Sequence, residues 1–199
     1  MDAPEKQAAR EELYDILQRE RNGSLLILCG PRDHEARTAM RRGFALDRMI
    51  FVDDNPAVLA IHTRNFTARE RTLIRREKDG YLSEVSFRLA EKKEQIQVAH
   101  LDFCGPIFAL TAGAVAIEIP KFISSGILQE GLLAITILSG HEQDGCKDNE
   151  TRYRRMANLV NQQIETGVPR TVKFVDRGKY FNPRSNNVML WSIFQIGRK

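Results

Sequence analysis

The sequence predicts an α/β fold: a doubly wound, mostly parallel seven-stranded sheet with a terminal antiparallel β-hairpin and helices on both faces. Short apolar runs alternate with helical patterns from about residue 24 to residue 167, which is typical of parallel strands connected by helices. After residue 170, two strand patterns follow each other without a helical pattern between them, which indicates an antiparallel pair. Right-handed crossovers between the parallel strands place helices on both faces of such a sheet.

The composition is that of an ordinary globular protein, with 42% hydrophobic and 28% charged residues among 199. We therefore expect a single domain over 1–199, in which 1–22 form an N-terminal helix and 170–199 form the terminal hairpin. The charged N-terminus has no apolar targeting core, and no apolar run is long enough to cross a bilayer. We expect a cytoplasmic protein without a membrane partner, and nothing in the sequence indicates its oligomeric state.

The first elements follow from hydrophobic periodicity. A helix is predicted over 5–21, because apolar residues recur there on one helical face and Asn22-Gly23 ends the pattern. The continuous apolar run 24–29 predicts a strand buried on both faces, as in a parallel sheet. A second helix follows, with Asp33 as its N-cap and its last residue near Arg42.

The second strand is predicted at the apolar run 49–52. Asn55-Pro56 then begins a helix, with proline at a first-turn position where its missing N–H costs nothing. A short third strand is expected at 72–74, and a helix follows over 81–94.

The alternation of strands and helices continues through the next part of the chain and ends before the terminal hairpin. Strands are predicted over 96–101 and 132–138 with a helix between them, and the second is the strongest strand pattern in the chain. A helix over 150–166 follows. The terminal hairpin is predicted from strands over 171–175 and 188–196, joined by a polar loop.

The three cysteines are widely spaced and include no Cys-x-x-Cys pair, so neither a disulfide framework nor a metal site is expected. Cys29 and Cys104 lie at the ends of predicted strands, where a thiol usually packs as a small hydrophobic group. We therefore expect the chemistry to depend on other residues.

Ligands of a parallel α/β sheet bind at the carboxyl ends of the strands, so the residues directly after each strand are the candidates. Gly30 follows the first strand, where a residue without a side chain lets the backbone approach a ligand; a plain Gly30-Pro31 turn is the alternative. Asp53 follows the second strand, and a carboxylate there commonly holds two ribose hydroxyls. Asp54 or Asn55 can cap the next helix, which leaves Asp53 to the ligand.

Three later strands also end in polar residues. Asp79 follows the third strand in a turn, and His141 follows the fifth in a polar loop. Asp102 and Phe103 follow the fourth strand. Asp102 can accept a proton or a hydrogen bond from a reacting amine, and the alternative is a helix cap.

These features resemble the class I S-adenosylmethionine-dependent methyltransferases. The resemblance rests on the terminal antiparallel unit and on the apolar run that precedes Asp53 and Pro56, and it covers nearly the whole chain at the level of topology. It implies S-adenosylmethionine as cofactor and places Asp102 and Phe103 at the position of the catalytic motif, where an aromatic ring stacks on the substrate. The cofactor-binding residues that it implies are Cys29, Gly30, Pro31, Asp53, Asp54, Asp79 and Asp102.

The methyl acceptor is expected to be RNA or DNA. The segment 170–199 holds seven Lys or Arg residues and one Asp, interleaved with aromatic residues, a pattern that can bind phosphate and stack on unpaired bases. The alternative is that the aromatic residues pack on the sheet and the basic ones are solvated. The predicted substrate-binding residues are His141, Arg177, Lys179 and Tyr180.

Two other functions remain open from the sequence. The first loop has only Gly30, and the Pro-Pro of amine-methylating motifs is missing after Asp102, so the chain is alternatively a non-catalytic Rossmann-like module that binds nucleic acid or regulates another protein. A nucleotide-dependent oxidoreductase is disfavoured, because G-x-G-x-x-G is absent and the terminal hairpin departs from that fold.

Overall fold

The computed structural model of the chain describes residues 4–77, 80–103, 115–139, 148–162, 170–182 and 187–198. The strands are β1 (Leu25–Leu28), β2 (Met49–Val52), β3 (Arg75–Glu77), β4 (Val98–Asp102), β5 (Gly131–Ser139), β6 (Arg170–Asn182) and β7 (Asn187–Arg198). The helices are α1 (Pro4–Leu17), α2 (His34–Arg41), α3 (Pro56–Arg64), α4 (Ala68–Arg71), α5 (Leu82–Glu91), α6 (Val115–Ser125) and α7 (Asn149–Gln162).

All seven strands form one sheet in the order β3-β2-β1-β4-β5-β7-β6. Strands β1 to β5 run parallel, β7 pairs antiparallel with β5, and β6 pairs antiparallel with β7. The direction of the strand order reverses between β1 and β4, which is where an open α/β sheet forms a crevice for ligands. The predicted fold class, including the terminal antiparallel hairpin, is confirmed.

Helices cover both faces of the sheet, because successive side chains of a buried strand point to opposite faces and both sets are apolar. One core contains buried residues of α1, α2 and α3, among them Tyr14 and Leu59. The other contains buried residues of α5, α6 and α7, among them Leu89, Phe122 and Met156. The doubly wound arrangement therefore follows from the continuous apolar runs of the central strands.

The third strand was predicted wrongly at 72–74; it lies three residues later, at Arg75–Glu77. Thr67 begins the short helix α4 instead, because its hydroxyl accepts the Glu70 N–H while the Glu70 carboxylate accepts the Thr67 N–H. This capping box and the turn that follows it occupy the residues where the strand was expected, so the third strand begins three residues later.

The terminal strands are longer than the predicted 171–175 and 188–196. Their pairing extends from Arg170 opposite Arg198 to Asn182 opposite Asn187, with a register shift between Phe174 and Asp176. Residues 176–182, which were expected in the polar loop, therefore continue β6, and residues 183–186 lie outside the described residues. Within the described residues β6 pairs only with β7, and an edge strand keeps polar side chains in solvent, so it lacks the apolar pattern of a central strand.

The other predicted helices are present, and those with both ends among the described residues have ends within a few residues of the predicted ones. The first helix stops at Leu17 instead of continuing to residue 21, and a 3₁₀ turn over Gln18–Glu20 leads into β1. No helix in the described ranges is long and apolar enough to span a membrane.

Candidate functional site

The strand register brings three of the predicted residues to one edge of the sheet. Leu28 is level with Val52, and the Cys29 N–H donates to the Val52 carbonyl at 3.0 Å, so Cys29 lies beside the start of the Asp53 turn. Ile27 is level with His100, so Asp102, two residues further along β4, lies level with Cys29. The carboxyl ends of β1, β2 and β4 thus meet at the point where the strand order reverses.

The turn after β1 is open above Gly30. Among the described residues, no heavy atom lies within 4 Å of a Cβ atom placed on Gly30, so they leave the space over this residue to a ligand. The Pro31 carbonyl accepts a hydrogen bond from Asn65 Nδ2 at 2.9 Å, which holds the turn in place. The Cys29 thiol points into the core, and burial, together with the nearby Asp53 carboxylate, raises its pKa well above the usual value. Cys29 can therefore contact a ligand only through its backbone.

Asp53 is half-buried at the end of β2, while Asp54 is exposed beside it. Asn55 caps α3, because its side-chain oxygen accepts the Ala57 N–H at 3.0 Å, so Asp53 is not the cap. Instead, Asp53 Oδ1 accepts the Asn55 N–H at 2.9 Å, which fixes the carboxylate at the mouth of the crevice. Burial raises the pKa of Asp53, with a smaller contribution from Asp54.

Asp102 and Phe103 point to opposite faces of the sheet, as successive strand residues do. The Asp102 side chain lines a cavity under α1. The Phe103 ring is 9% exposed and packs in the core formed with α5, α6 and α7. The expectation that Phe103 stacks on a substrate is therefore corrected: its ring is a core residue.

A buried polar cluster, which the sequence pattern did not predict, connects α1 to the carboxyl ends of the strands. Arg10 of α1 donates from Nε to Glu35 Oε1 at 3.0 Å, and both side chains are almost fully buried. Tyr14 Oη lies 3.1 Å from His100 Nδ1, also in the interior. Arg10 shares the apolar face of α1 with Leu13, and a charged residue on an apolar helical face was the available signal.

The environment sets the charge of this cluster. Burial alone would raise the pKa of Glu35, but Arg10, with smaller contributions from His100 and Lys6, leaves that pKa below its usual value. Burial lowers the pKa of His100 to about 4, so its imidazole is neutral at pH 7. The Arg10–Glu35 pair is therefore ionised and compensated beside a neutral histidine.

The cluster borders a cavity of about 20 Å³ between α1 and the sheet, which is room for an ordered water or one small chemical group. Its polar walls are Arg10, Glu35, His100, Asp102, Thr136 and Trp191. Among the described residues, no group of His, Cys, Asp and Glu could hold a metal ion.

The predicted substrate-binding residues of β6 divide between the two faces of the sheet. Arg177 pairs with Glu150 Oε2 at 2.8 Å and stacks on the Tyr153 ring at 4.6 Å, so it faces α7. Tyr180 lines the cavity on the α1 side, and Lys179 is exposed. The three residues therefore do not form one contact surface, because the segment is a strand and not the loop that was expected.

Two predicted site residues, Asp79 and His141, lie outside the described residues, as does Cys104.

Solved structures that match the chain include methyltransferases at low sequence identity. The N-methyltransferase NodS of Bradyrhizobium japonicum, in complex with S-adenosyl-L-homocysteine, matches with a TM-score of 0.64 and 11% identity over 98% of this chain and 88% of that chain. A fibrillarin pre-rRNA processing protein of Methanococcus jannaschii matches with a TM-score of 0.59 and 15% identity over 88% of this chain and 68% of that chain. An O-methyltransferase of Bacillus cereus, in complex with SAH, matches with a TM-score of 0.58 and 11% identity over 97% of this chain and 81% of that chain.

The chain spans 48% of some longer matches, such as TrmN of Thermus thermophilus. No protein-family model and no curated protein sequence matches it. The strand order and these matches establish that the chain has the class I S-adenosylmethionine-dependent methyltransferase fold.

Proposed function

We propose that the chain is an S-adenosylmethionine-dependent methyltransferase. The observation that carries this proposal is the half-buried Asp53 carboxylate beside the open Gly30 turn, at the strand-order reversal of a methyltransferase-type sheet. A carboxylate at the end of the second strand accepts two ribose hydroxyls in charge-assisted hydrogen bonds.

The residues present fit S-adenosylmethionine. The space above Gly30 admits a ligand against the backbone, and the Cys29–Pro31 turn is held by Asn65. Asp53 and Asp102 at the same edge favour a ligand that carries a positive charge. When bound, S-adenosylmethionine supplies a methyl group that its sulfonium already activates.

Asp102 is the residue that we assign to the acceptor. Its carboxylate lies at the carboxyl end of β4 and lines the cavity under α1, where it can accept a hydrogen bond from the group that becomes methylated. Little more is required of the protein, because orientation and proximity supply much of the rate of such a displacement.

We propose a nucleic acid, RNA before DNA, as the acceptor. Lys179 is exposed on the long edge strand β6, directly after Gly178, which the register of β7 and β5 places level with Asp102. The similar structure from Methanococcus jannaschii is described as a pre-rRNA processing protein, which favours RNA. The non-catalytic module stays the second candidate, because only one glycine stands in the first turn and Phe103 is in the core.

The test is transfer of labelled methyl from S-adenosylmethionine to single-stranded RNA, single-stranded DNA and their duplexes, with the variants Asp102→Asn and Glu130→Gln. Glu130 is an exposed carboxylate before β5, at the opposite edge of the sheet, and serves as the matched control. We expect label in RNA with the wild type and the control and at least a hundredfold lower turnover with Asp102→Asn. Cofactor binding without transfer to any acceptor would favour the non-catalytic module.

A further inference from the structure

Four exposed arginines lie where the end of α3, the short helix α4 and the edge strand β3 meet. They are Arg64, Arg69, Arg71 and Arg76, and we call them the arginine surface. The segment 64–76 holds five arginines and one carboxylate, that of Glu70. The local charge is therefore strongly positive unless carboxylates from elsewhere in the fold neutralise it.

Glu70 does not neutralise the surface, because Arg37 of α2 already occupies it. Glu70 Oε1 accepts a hydrogen bond from Arg37 at 2.5 Å, and Glu70 Oε2 accepts the Thr67 N–H at 2.8 Å. The Arg37 guanidinium, with a smaller contribution from Thr67, lowers the pKa of Glu70 to about 2. Among the described residues, no carboxylate pairs with an arginine of the surface.

Most other arginines with described ion pairs sit beside a carboxylate. Seven of them lie within 3.5 Å of an Asp or Glu oxygen, namely Arg10, Arg37, Arg41, Arg42, Arg75, Arg154 and Arg177. Like charges that are grouped without counter-charges repel one another, and such a group attracts a polyanion. The arginine surface thus has the electrostatic character of a contact site for phosphates.

The register of β3 separates its two arginines. Arg75 is level with Ile50, which faces the core under α5, α6 and α7, and Arg75 pairs on that face with Glu94. Arg76 is level with Phe51, which faces the opposite core under α1, α2 and α3. Arg76 therefore lies on the same face of the sheet as α3.

Arg71 is fixed in the middle of this surface by backbone groups. Its Nε donates to the Phe66 carbonyl at 2.8 Å, and its Nη2 donates to the Arg64 carbonyl at 3.1 Å. The Phe66 ring packs 6.2 Å from the ring of Phe51, beside Arg76. Carbonyl groups carry no net charge, so these bonds orient the guanidinium and leave its positive charge uncompensated.

The arginine surface adjoins the candidate cofactor crevice. Asn65, next to Arg64, donates from Nδ2 to the Pro31 carbonyl at 2.9 Å, which connects the surface to the open turn after β1. Phe51 precedes Asp53 by two residues, so the Cα atoms of Arg76 and Asp53 are about 8 Å apart. A molecule that enters the crevice can therefore reach the surface.

We propose that the arginine surface binds the phosphate backbone of the acceptor RNA. This inference rests on the proposed methyltransferase function with RNA as acceptor. Strands β3 and β6 are the two outer strands of the sheet, so an RNA that contacts both the arginine surface and Lys179 crosses the crevice between them. The surface holds nucleotides beside the reactive one and takes no part in the chemistry.

The side-chain chemistry and the position both favour RNA over the other extended source of phosphate, an anionic membrane. All four side chains are arginines, whose planar forks bind phosphate oxygens in pairs. A membrane would have no reason to meet the surface next to the crevice, whereas an acceptor must extend beyond its reactive nucleotide.

The test is binding of end-labelled single-stranded RNA, followed by anisotropy at several salt concentrations and without cofactor. The variant Arg69→Gln, Arg76→Gln removes two charges whose side chains have no hydrogen bond within the described ranges, so folding is not at risk. Each phosphate contact to a single strand contributes about 0.7 to the slope of log affinity against log salt. We expect the slope to fall by about 1.4 and the affinity at about 0.1 M salt to fall about tenfold.

The matched control is Arg19→Gln, Arg21→Gln, which changes the net charge equally. Both arginines are exposed just before β1, at the opposite edge of the sheet, on either side of Glu20. We expect this variant to keep the wild-type slope, because its arginines contact no phosphate. Equal slopes for the two double variants, or a wild type that binds no RNA, would overturn the inference.

Two further measurements separate the remaining outcomes. Vesicles of phosphatidylserine and phosphatidylcholine that bind the wild type and not the Arg69, Arg76 variant, with RNA binding unchanged, would identify a membrane and overturn the inference. Titration of the same proteins with S-adenosylmethionine should give one affinity for all three. RNA binding that depends on the surface, together with no cofactor binding by the wild type, would overturn the methyltransferase function alone.

Discussion

Asp53 is the residue on which the proposed cofactor site depends most. Its carboxylate is fixed by the Asn55 N–H at the end of β2, so its position does not rely on a ligand. Asp53→Asn keeps the shape of the side chain and removes the charge. We expect S-adenosylmethionine affinity to fall by at least tenfold, since a hydrogen bond to a charged group contributes about 1.5–3 kcal/mol.

Equilibrium dialysis with labelled cofactor measures this change, and Asp47→Asn is the matched control. Asp47 is exposed just before β2, whereas Asp53 lies just after it, so the two aspartates flank the same strand at opposite edges of the sheet. An Asp53→Asn variant that binds as tightly as Asp47→Asn would remove Asp53 from the ribose site.

His100 makes stability depend on pH. Burial lowers its pKa in the folded chain to about 4, while an unfolded histidine has a pKa near 6.5. The folded state therefore prefers the neutral imidazole, so the contribution of His100 is fully present above pH 6.5 and is lost as pH falls from 6.5 to 4. Over this window we expect a loss of about 3 kcal/mol in the free energy of unfolding.

Urea unfolding of the wild type and His100→Gln at several pH values tests this expectation. Burial also lowers the pKa of His62, which contributes equally to both proteins. The difference between their unfolding free energies, followed against pH, therefore isolates the contribution of His100. If the free energy of unfolding changed by the same amount in both proteins between pH 6.5 and 4, His100 would not be held neutral in the folded chain.

At the residue scale, the sequence predicts which candidate residues lie at the carboxyl edge of the sheet when they directly follow a strand. The structure places Asp53 and Asp102 at that edge, because the end of a strand fixes the edge of the sheet at which a residue lies. Arg10, Glu35 and His100 come from three separate elements and meet only through tertiary packing, so no spacing rule connects them. Phe103 was misassigned because successive residues of an extended segment point to opposite faces, so its ring packs in the core on the face opposite Asp102.

At the element scale, α1 is attached to the sheet through the Arg10–Glu35 pair. Arg10→Met leaves Glu35 charged and buried without its main partner, so we expect a loss of about 3–5 kcal/mol in unfolding free energy. The double variant Arg10→Met, Glu35→Met removes both charges and should lose much less. Urea unfolding of the single and double variants measures the coupling, and additive losses would contradict the account.

The hairpin depends on a close contact between its two strands. Gly178 of β6 is level with Trp191 of β7, and a Cβ at Gly178 would lie 2.4 Å from the indole Cζ2. Gly178→Ala must therefore displace the indole, and we expect a destabilisation of about 1–3 kcal/mol. Gly30→Ala is the matched control, because a Cβ there meets no atom of the described ranges within 4 Å.

Thermal unfolding compares these two glycine variants, and the emission of Trp191 shows whether the indole moves. An unchanged melting temperature for Gly178→Ala would mean that the strands do not approach as closely as the structure has them. A large loss for Gly30→Ala would mean that the turn after β1 is not open.

The central parallel strands were predictable because both of their faces are buried, which gives continuous apolar runs such as 24–29 and 49–52. The edge strands were not. β3 has no fully buried residue, and the second half of β6 carries charged and polar side chains that solvent accepts at a sheet edge. Their extent is fixed by pairing with β2 and β7, which periodicity within one segment does not contain.

At the scale of the whole molecule, the strand order explains why the candidate site lies where it does. The order reverses between β1 and β4, and the crossovers leave a crevice there that helices do not fill. Gly30, Asp53 and Asp102 flank this crevice, and α1 closes one side of it through Arg10. The alternation of strands and helices predicted this topology, including its antiparallel end, before any side-chain contact was known.

Calorimetric titration of the purified protein tests whether this crevice binds S-adenosylmethionine. The titrants are S-adenosylmethionine, S-adenosylhomocysteine and, as control, NAD. We expect saturable binding of the first two, with a dissociation constant on the order of micromolar, and no binding of NAD, because the protein lacks the glycine-rich turn that a pyrophosphate needs. Heats that show binding of none of the three, or of NAD alone, would contradict this expectation.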